Sequence, residues 1–152
     1  MAYKLKAVFI LNFLRFIEWP QSSFQNEHSP ITLAIIGKDP FGKILDETIQ
    51  NEKVNNHPVI IRRNVSVSDA GKFHVLYISE SEKRNVNEII KKVENTPALT
   101  ISDIDGFGEN GGIITFFIED NKIRFMINIQ SLKQAELKAS SKLLRLAKII
   151  NP

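Results

Sequence analysis

The stretch ISDIDGFGENGGIITFFI, residues 101–118, decides the fold. Its Gly106-x-Gly108-x-x-Gly111 spacing is that of a dinucleotide-binding loop, in which a strand leads into the glycines and a helix N-terminus then holds the pyrophosphate. Here a strand does lead in, at ALTIS (98–102), but IITFFI (113–118) leads out. That run is β-branched or aromatic throughout, which makes a poor first helical turn and a good strand. The fingerprint is therefore an accident of composition, and the loop joins two strands. A phosphate loop is excluded too, because no Gly-Lys-Ser/Thr follows. DIDG (103–106) lacks the ligand spacing and closing glutamate of a calcium loop.

Working outward, GIITFFIED and KIRFMIN are split by Asp120-Asn121, a two-residue turn that predicts a β-hairpin. Upstream, ITLAII (31–36) and PVIIRR (58–63) read as strands around a helix begun by Asp39 and Pro40. FHVLYIS (73–79) and ALTIS enclose a second helix, NVNEIIKKVEN, introduced by Ser79 and Glu82 at capping-box spacing. Two βαβ units followed by a hairpin predict one α/β domain. Its sheet should be mixed but mostly parallel, with about five or six strands and helices on both faces. From Ile129 to Ile150 the apolar spacing is helical, and the expectation is a long C-terminal helix. At the other end, KLKAVFILNFLRFI is apolar on most of its surface, so it must be buried on more than one side or face a partner. Trp19-Pro20 ends it. The run resembles the start of a signal peptide, but Asn12, Arg15 and Glu18 interrupt it, and it is shorter than the ~20 residues of a membrane span.

Composition narrows the function. A formal charge of +3 is too modest for the dense basic stripe of a nucleic-acid binder. The chain has no cysteine, so thiol catalysis, disulfides and cysteine-based zinc sites are excluded. No GxSxG elbow is present, and His28, His57 and His74 lack metal-ligand spacing. His74 reads as a packed or hydrogen-bonded strand residue. Asp103 and Asp105 have the types of an acid–base pair without a nucleophile or metal set beside them. Arg62 and Arg63 close a strand and face opposite sides; one of them is expected to pair with a carboxylate, Asp103 being the candidate, or to be solvated. Lys138, Lys142 and Arg145 form a basic stripe that reads as a solvated face. Trp19, Phe41 and Phe107 read at least equally as core residues; an exposed Phe107 in the glycine loop would be the exception that marks a contact surface. The loops after the parallel strands, 37–42, 79–84 and 102–107, should converge on a crevice.

Several stretches taken in order resemble one family. KAVFILNFLRFIEWP is similar to the aromatic N-terminal helix ending in Trp-Pro of the YfiR family, and ITLAIIGKDPFG to its next strand and turn. HPVIIRR, FHVLYISESEKR, ALTISDIDGFGENGGIITFFIEDNKIRFMIN and LKASSKLLRLAKII follow in the family's order, covering residues 6–150. The resemblance implies a periplasmic regulator and not an enzyme, with no cofactor and no resident metal. Its implied partner is the periplasmic domain of an inner-membrane diguanylate cyclase of the YfiN type, or another membrane signalling protein. Repression of that partner lowers cyclic-di-GMP and biofilm formation. A homodimer is implied, as is export by a cleaved signal peptide that lies outside these residues, with no nucleic-acid partner and no membrane insertion. Many members carry a cysteine before the His-Val-Leu of the third strand; this chain has Phe73 there, so disulfide-based redox control is excluded for it.

The candidate partner- or ligand-binding residues are Trp19 and Phe107, on the expectation of exposed apolar surface, and Asp103 at the crevice. Arg62, Arg124, Ser140, Ser141 and Lys142 join them by matching the family's motifs. The alternative function is a periplasmic sensor domain that binds a small ligand in the strand-end crevice. A third, enzymatic, reading would use Asp103 and Asp105.

Overall fold

Strands built of β-branched and aliphatic residues, buried on both faces, set the architecture. The computed structural model describes residues 2–151. The main sheet has eight strands: β2 (Ile31–Ile36), β3 (Lys53–Val54), β4 (His57–Arg62), β5 (Val75–Ile78), β6 (Leu99–Ser102), β7 (Ile114–Glu119), β8 (Lys122–Asn128) and β10 (Lys148–Ile150). Their order is β10-β8-β7-β6-β5-β2-β4-β3. The pairs β2–β4, β2–β5, β5–β6, β6–β7 and β8–β10 are parallel, while β7–β8 and β3–β4 are antiparallel hairpins. A separate two-stranded ribbon pairs β1 (Ile17–Glu18) with β9 (Lys138–Ala139). The sheet is the expected mixed, mostly parallel one, widened by the short edge strands β3 and β10.

Side-chain alternation divides the core in two. Leu33, Ile35, Val75, Tyr77, Leu99 and Ile101 point to the face covered by α1 (Ala2–Phe16) and α2 (Lys43–Ile49). Ala34, Ile36, Leu76 and Ile78 point to the other, which α3 (Val86–Val93) covers with Val86, Ile89, Ile90 and Val93. Helix α1 supplies Ala7, Ile10, Leu11, Phe13 and Leu14 to the first core, and Phe13 meets Phe125 edge-on at 4.9 Å. Leu5 and Val8 on its outer side stay exposed.

The long C-terminal helix does not form. Helix α4 (Ile129–Gln134) stops where Glu136 turns left-handed, at φ 60°. Leu137 N–H then donates to Leu132 C=O, and Glu136 N–H to Lys133 C=O, the crossed pattern of a Schellman stop. Glycine or asparagine usually marks such a stop; glutamate does not, so the sequence pattern runs through it. The chain continues as β9, α5 (Ser141–Leu146) and β10. Helix α1 also ends earlier than Trp19-Pro20 suggests, because Ile17 and Glu18 are taken into the ribbon with Ala139 and Lys138.

At the end of the sheet where β2 and β4 begin, three rings stack. Phe24 lies 4.0 Å from His57 and 4.8 Å from His74, both nearly parallel to it. His74 Nδ1 accepts the Thr32 N–H at 3.0 Å and its Nε2–H donates to Ser23 C=O at 2.8 Å, which fixes the tautomer. Burial, with a smaller contribution from the charge of His57, lowers the His74 pKa against the opposing pull of the Ser23 carbonyl.

The glycine loop folds back over the α3 face and plants Phe107 there, with no exposed surface, beside Ile104 and Ile90. A Cβ on Gly112 would lie 2.2 Å from the Phe107 ring, so only glycine leaves room for it. Of the two readings of Phe107, exposed contact residue or core, the structure shows core: it is the loop's anchor, and burying a phenylalanine is worth about 1.5–3 kcal/mol.

Phe107→Ala should cost about 3–5 kcal/mol in urea denaturation, and Gly112→Ala about 1–3 kcal/mol by overpacking. Together they should cost clearly less than their sum, and strict additivity would refute the contact. For His74, an unfolded chain takes up its proton near the ordinary value of 6.5 while the folded one resists. Stability from this residue is therefore full above that pH and lost as the pH falls below it. The Tm of the wild type should drop with acid through this window more steeply than that of His74→Gln; parallel profiles would refute the assignment.

Candidate functional site

Of the three loops expected to converge on a crevice, 79–84 and 102–107 do line an open cleft, through Glu80, Asp103, Asp105 and Gly106, while 37–42 is packed shut against 79–82. Gly37, at φ 90°, passes so near Ser79, Ser81 and Glu82 that a Cβ would lie 2.6 Å from Ser81 Oγ. Lys38 N–H donates to Ser81 Oγ at 2.9 Å, and Ser79 N–H to Ile36 C=O at 2.9 Å. The turn that follows is held by Arg63. Its guanidinium donates to Asp39 Oδ2 at 2.7 Å, to both oxygens of Asp46 at 3.2 and 2.7 Å, and to Gly42 C=O at 3.0 Å. These carboxylates, Asp46 foremost, raise the Arg63 pKa further, so it is a permanent cation here. The expected arginine–carboxylate pair is thus Arg63 with Asp39 and Asp46, not a pair with Asp103. Asp39 accepts from Phe41 and Gly42 N–H instead of capping a helix, which starts only at Lys43.

Open space lies one strand further along. A cleft of about 500 Å³ opens where β6 ends beside β7, between α1 and the glycine loop. Buried Ser102 sets the turn that leads to it: its hydroxyl donates to Ile78 C=O at 2.6 Å and accepts from Ile104 N–H at 3.1 Å, just after the strand. Asp103 is thereby set over the sheet. One of its oxygens takes the Lys6 ammonium at 2.5 Å, and the other takes the Tyr77 hydroxyl. Lys6 and Asp103 side chains are 10% and 11% exposed, so the pair is nearly buried. The ammonium also lies 4.6 Å from the Tyr3 ring centroid and 5.7 Å from that of Phe116. Phe41 stands edge-on to Tyr3 at 5.3 Å and to Tyr77 at 4.9 Å, completing an aromatic wall.

This arrangement limits the chemistry. Burial, then the charge of Asp103, pushes the Tyr77 hydroxyl far above the ordinary phenol range, so it remains a proton donor. Each Asp103 oxygen is engaged, one by the Lys6 ammonium and one by the Tyr77 hydroxyl, so the carboxylate acts here as the counter-charge that holds both. What the cleft does present is charge: Glu80, Asp105 and Glu109 line it, exposed and without an ion-pair partner among the described residues.

The candidate residues do not converge. Asp103 is in the cleft and Phe107 beneath the loop behind it. Arg62 is exposed at the end of β4. Arg124, near the hairpin tip, pairs with Glu119 at 3.3 Å. Trp19 is half-buried at the opposite end of the sheet, its Nε1–H donating to His74 C=O at 3.0 Å. Ser140 is the N-cap of α5, accepting from Leu143 N–H at 3.2 Å, and its own N–H donates to Phe16 C=O. Ser141 is exposed, and Lys142 reaches over the Phe16 ring at 5.4 Å.

The two partners of Asp103, Lys6 at the cleft and Tyr77 buried beside it, escaped the sequence reading. Lys6 had a signal: it precedes Ile10 by four and Phe13 by seven, which places it on the buried stripe of α1. A lysine there needs a buried anion.

Comparison with known proteins adds the following. A search of curated proteins returns no match. Among solved structures, the chain is similar to the crystal structure of a conserved domain protein from Vibrio cholerae O1 biovar eltor, with TM-score 0.64 and 10% sequence identity. The similarity covers 97% of this chain and 59% of that one, so this chain spans about 59% of its length, and at that identity it shows the fold alone. The family described as DUF4154, YfiR/HmsC-like, matches residues 3–148, a span that takes in α1, both βαβ units, the cleft and the hairpin. The chain therefore belongs to the YfiR/HmsC-like family.

Proposed function

We propose that the protein is a non-enzymatic periplasmic regulator that binds and represses an inner-membrane signalling enzyme, most simply a diguanylate cyclase. Family membership over residues 3–148 carries this reading. The site chemistry supports it, since Asp103 acts as the counter-charge that holds Lys6 and Tyr77. No helix among the described residues is long and apolar enough to cross a membrane. In this reading the chain acts as a homodimer. It binds one conformation of the partner's sensor domain more tightly and shifts its population; tenfold control needs only about 1.4 kcal/mol of differential affinity. Repression lowers cyclic-di-GMP and with it biofilm formation. In this reading residues 1–152 act as one domain.

The cleft favours a second reading, a sensor domain for a small ligand. Its volume of about 500 Å³ falls in the range of about 300–1,000 Å³ usual for ligand sites. The ligand would sit in this strand-end cleft, between the loops 79–84 and 102–107, and bias partner binding.

Deleting the gene in its host should raise intracellular cyclic-di-GMP, and the purified protein should retain the periplasmic domain of the cyclase on a column. An unchanged nucleotide level together with no retention would end the repressor reading. A ligand at one hundred times its Kd should stabilise the fold by about 2.7 kcal/mol. If a panel of small metabolites leaves the Tm unmoved, the sensor reading fails.

A further inference from the structure

We propose that the open edge of β7, at the mouth of the acidic cleft, takes an extended lysine- or arginine-bearing segment of a partner protein as an added β-strand. This rests on the reading that the chain acts by binding another protein. Strand β6 ends at Ser102 and pairs with β7 only through Ile114 and Thr115. Strand β7 runs on to Glu119, and from Phe116 onward its only strand partner is β8. Residues 116–119 are thus an edge set inside an eight-stranded sheet.

Alternation in the hairpin fixes which peptide groups are open. Glu119 and Lys122 flank a two-residue turn whose central residues, Asp120 and Asn121, have φ of 52° and 61°. In such a hairpin the flanking pair exchanges both hydrogen bonds, as does the pair two residues on, Phe117 with Arg124. Ile118 lies between them, so its N–H and C=O turn away from β8 and toward the cleft. A strand edge of this kind is a template for another chain.

The surroundings specify the occupant. Lys6, the cation of the cleft, is already held by Asp103, whereas Glu80, Asp105 and Glu109 have neither an ion pair nor a side-chain hydrogen bond among the described residues. The charge on offer is negative, on a chain whose net charge is +3, so complementarity calls for a basic segment. Ile118 is 70% exposed on the same wall, more than any other large apolar side chain described, and gives the added strand an apolar neighbour. Thr115 also lines the cleft; it is 3% exposed, yet its Oγ1 has no hydrogen-bond partner among the described residues. A small cation would answer the carboxylates but not the peptide edge. A strand with alternating apolar and basic residues answers both.

The probe is an acetylated, amidated octapeptide of alternating valine and lysine, titrated into the full chain and followed by NMR and amide hydrogen exchange. It should bind and slow exchange at Ile118. Methylating alternate peptide nitrogens on the pairing edge, or replacing lysine by glutamate, should each weaken binding by about tenfold or more. Asp105→Lys with Glu109→Lys, both on exposed loop positions, should do the same. Ile118→Pro should abolish binding with β8 pairing intact, because the lost N–H is the one that faces the cleft. No binding, binding indifferent to charge or methylation, or binding without protection at Ile118 would each overturn the proposal. The cyclase's periplasmic domain separates this from the repressor reading. If it binds the wild type and Ile118→Pro equally well, the edge proposal falls and repression stands. If the octapeptide binds as expected but that domain does not, the edge stands and the cyclase assignment falls.

Discussion

A lysine ammonium, once buried, must be met by an anion, and much of this structure is arranged around that requirement at Lys6. The residue is 8% exposed on the inner stripe of α1, between aromatic rings. Its counter-charge, Asp103, comes from the first residue after β6, and Tyr77 of the central strand β5 takes the remaining oxygen. Helix, sheet and glycine loop therefore share one polar node. A buried pair of this kind adds little net stability compared with apolar residues of the same size, yet losing one partner costs about 3–5 kcal/mol. Its role is to fix position: α1 cannot slide along the sheet, nor the loop lift, without stranding a charge.

The node also explains why the space lies where it does. With Asp103 drawn toward Lys6, the chain after β6 turns off the line of the sheet, and Phe107 then pins it to the opposite face over Gly112. The loop cannot run beside β7, so the outer half of that strand keeps an open side. The switch point between β2 and β5, where open α/β sheets usually bind ligands, is instead sealed by Gly37 against Ser79 and Ser81. A closed switch point and an open inner edge are better suited to meeting a polypeptide than to enclosing a cofactor.

What was legible in the sequence follows from how local the cause is. The two βαβ units, the Asp120-Asn121 hairpin and the rejection of the dinucleotide fingerprint rest on periodicity and turn chemistry within a few residues, and they hold. Where the cause is tertiary, the sequence was silent or misleading. Glu136 ends α4 in a conformation that its side chain does nothing to announce. The ribbon that shortens α1 joins Ile17 to Ala139, far apart in the chain. Phe107 could be read either as core or as a residue displayed on a glycine loop; the structure decides for core, and Gly112 leaves room for the ring. The candidate residues taken from motif resemblance remain scattered, since a motif records which residues accompany a fold without saying which of them share a surface.

The two ends of the sheet differ in a way that bears on regulation. At one end the His57–Phe24–His74 stack and Trp19 are tied to backbone carbonyls and amides, which leaves little freedom. At the other, the wall of the cleft holds three unpaired carboxylates and an exposed Ile118, groups that gain more from a partner than from water. A regulator of the kind proposed must release its target as well as hold it, so its contact surface should draw on interactions that conditions can weaken. Carboxylates facing a basic strand meet that need: rim charges act mainly on association rate and respond to ionic strength, while the added backbone pairing supplies register. Placing the adjustable charges beside a rigid edge lets affinity change without any change in the fold that presents them.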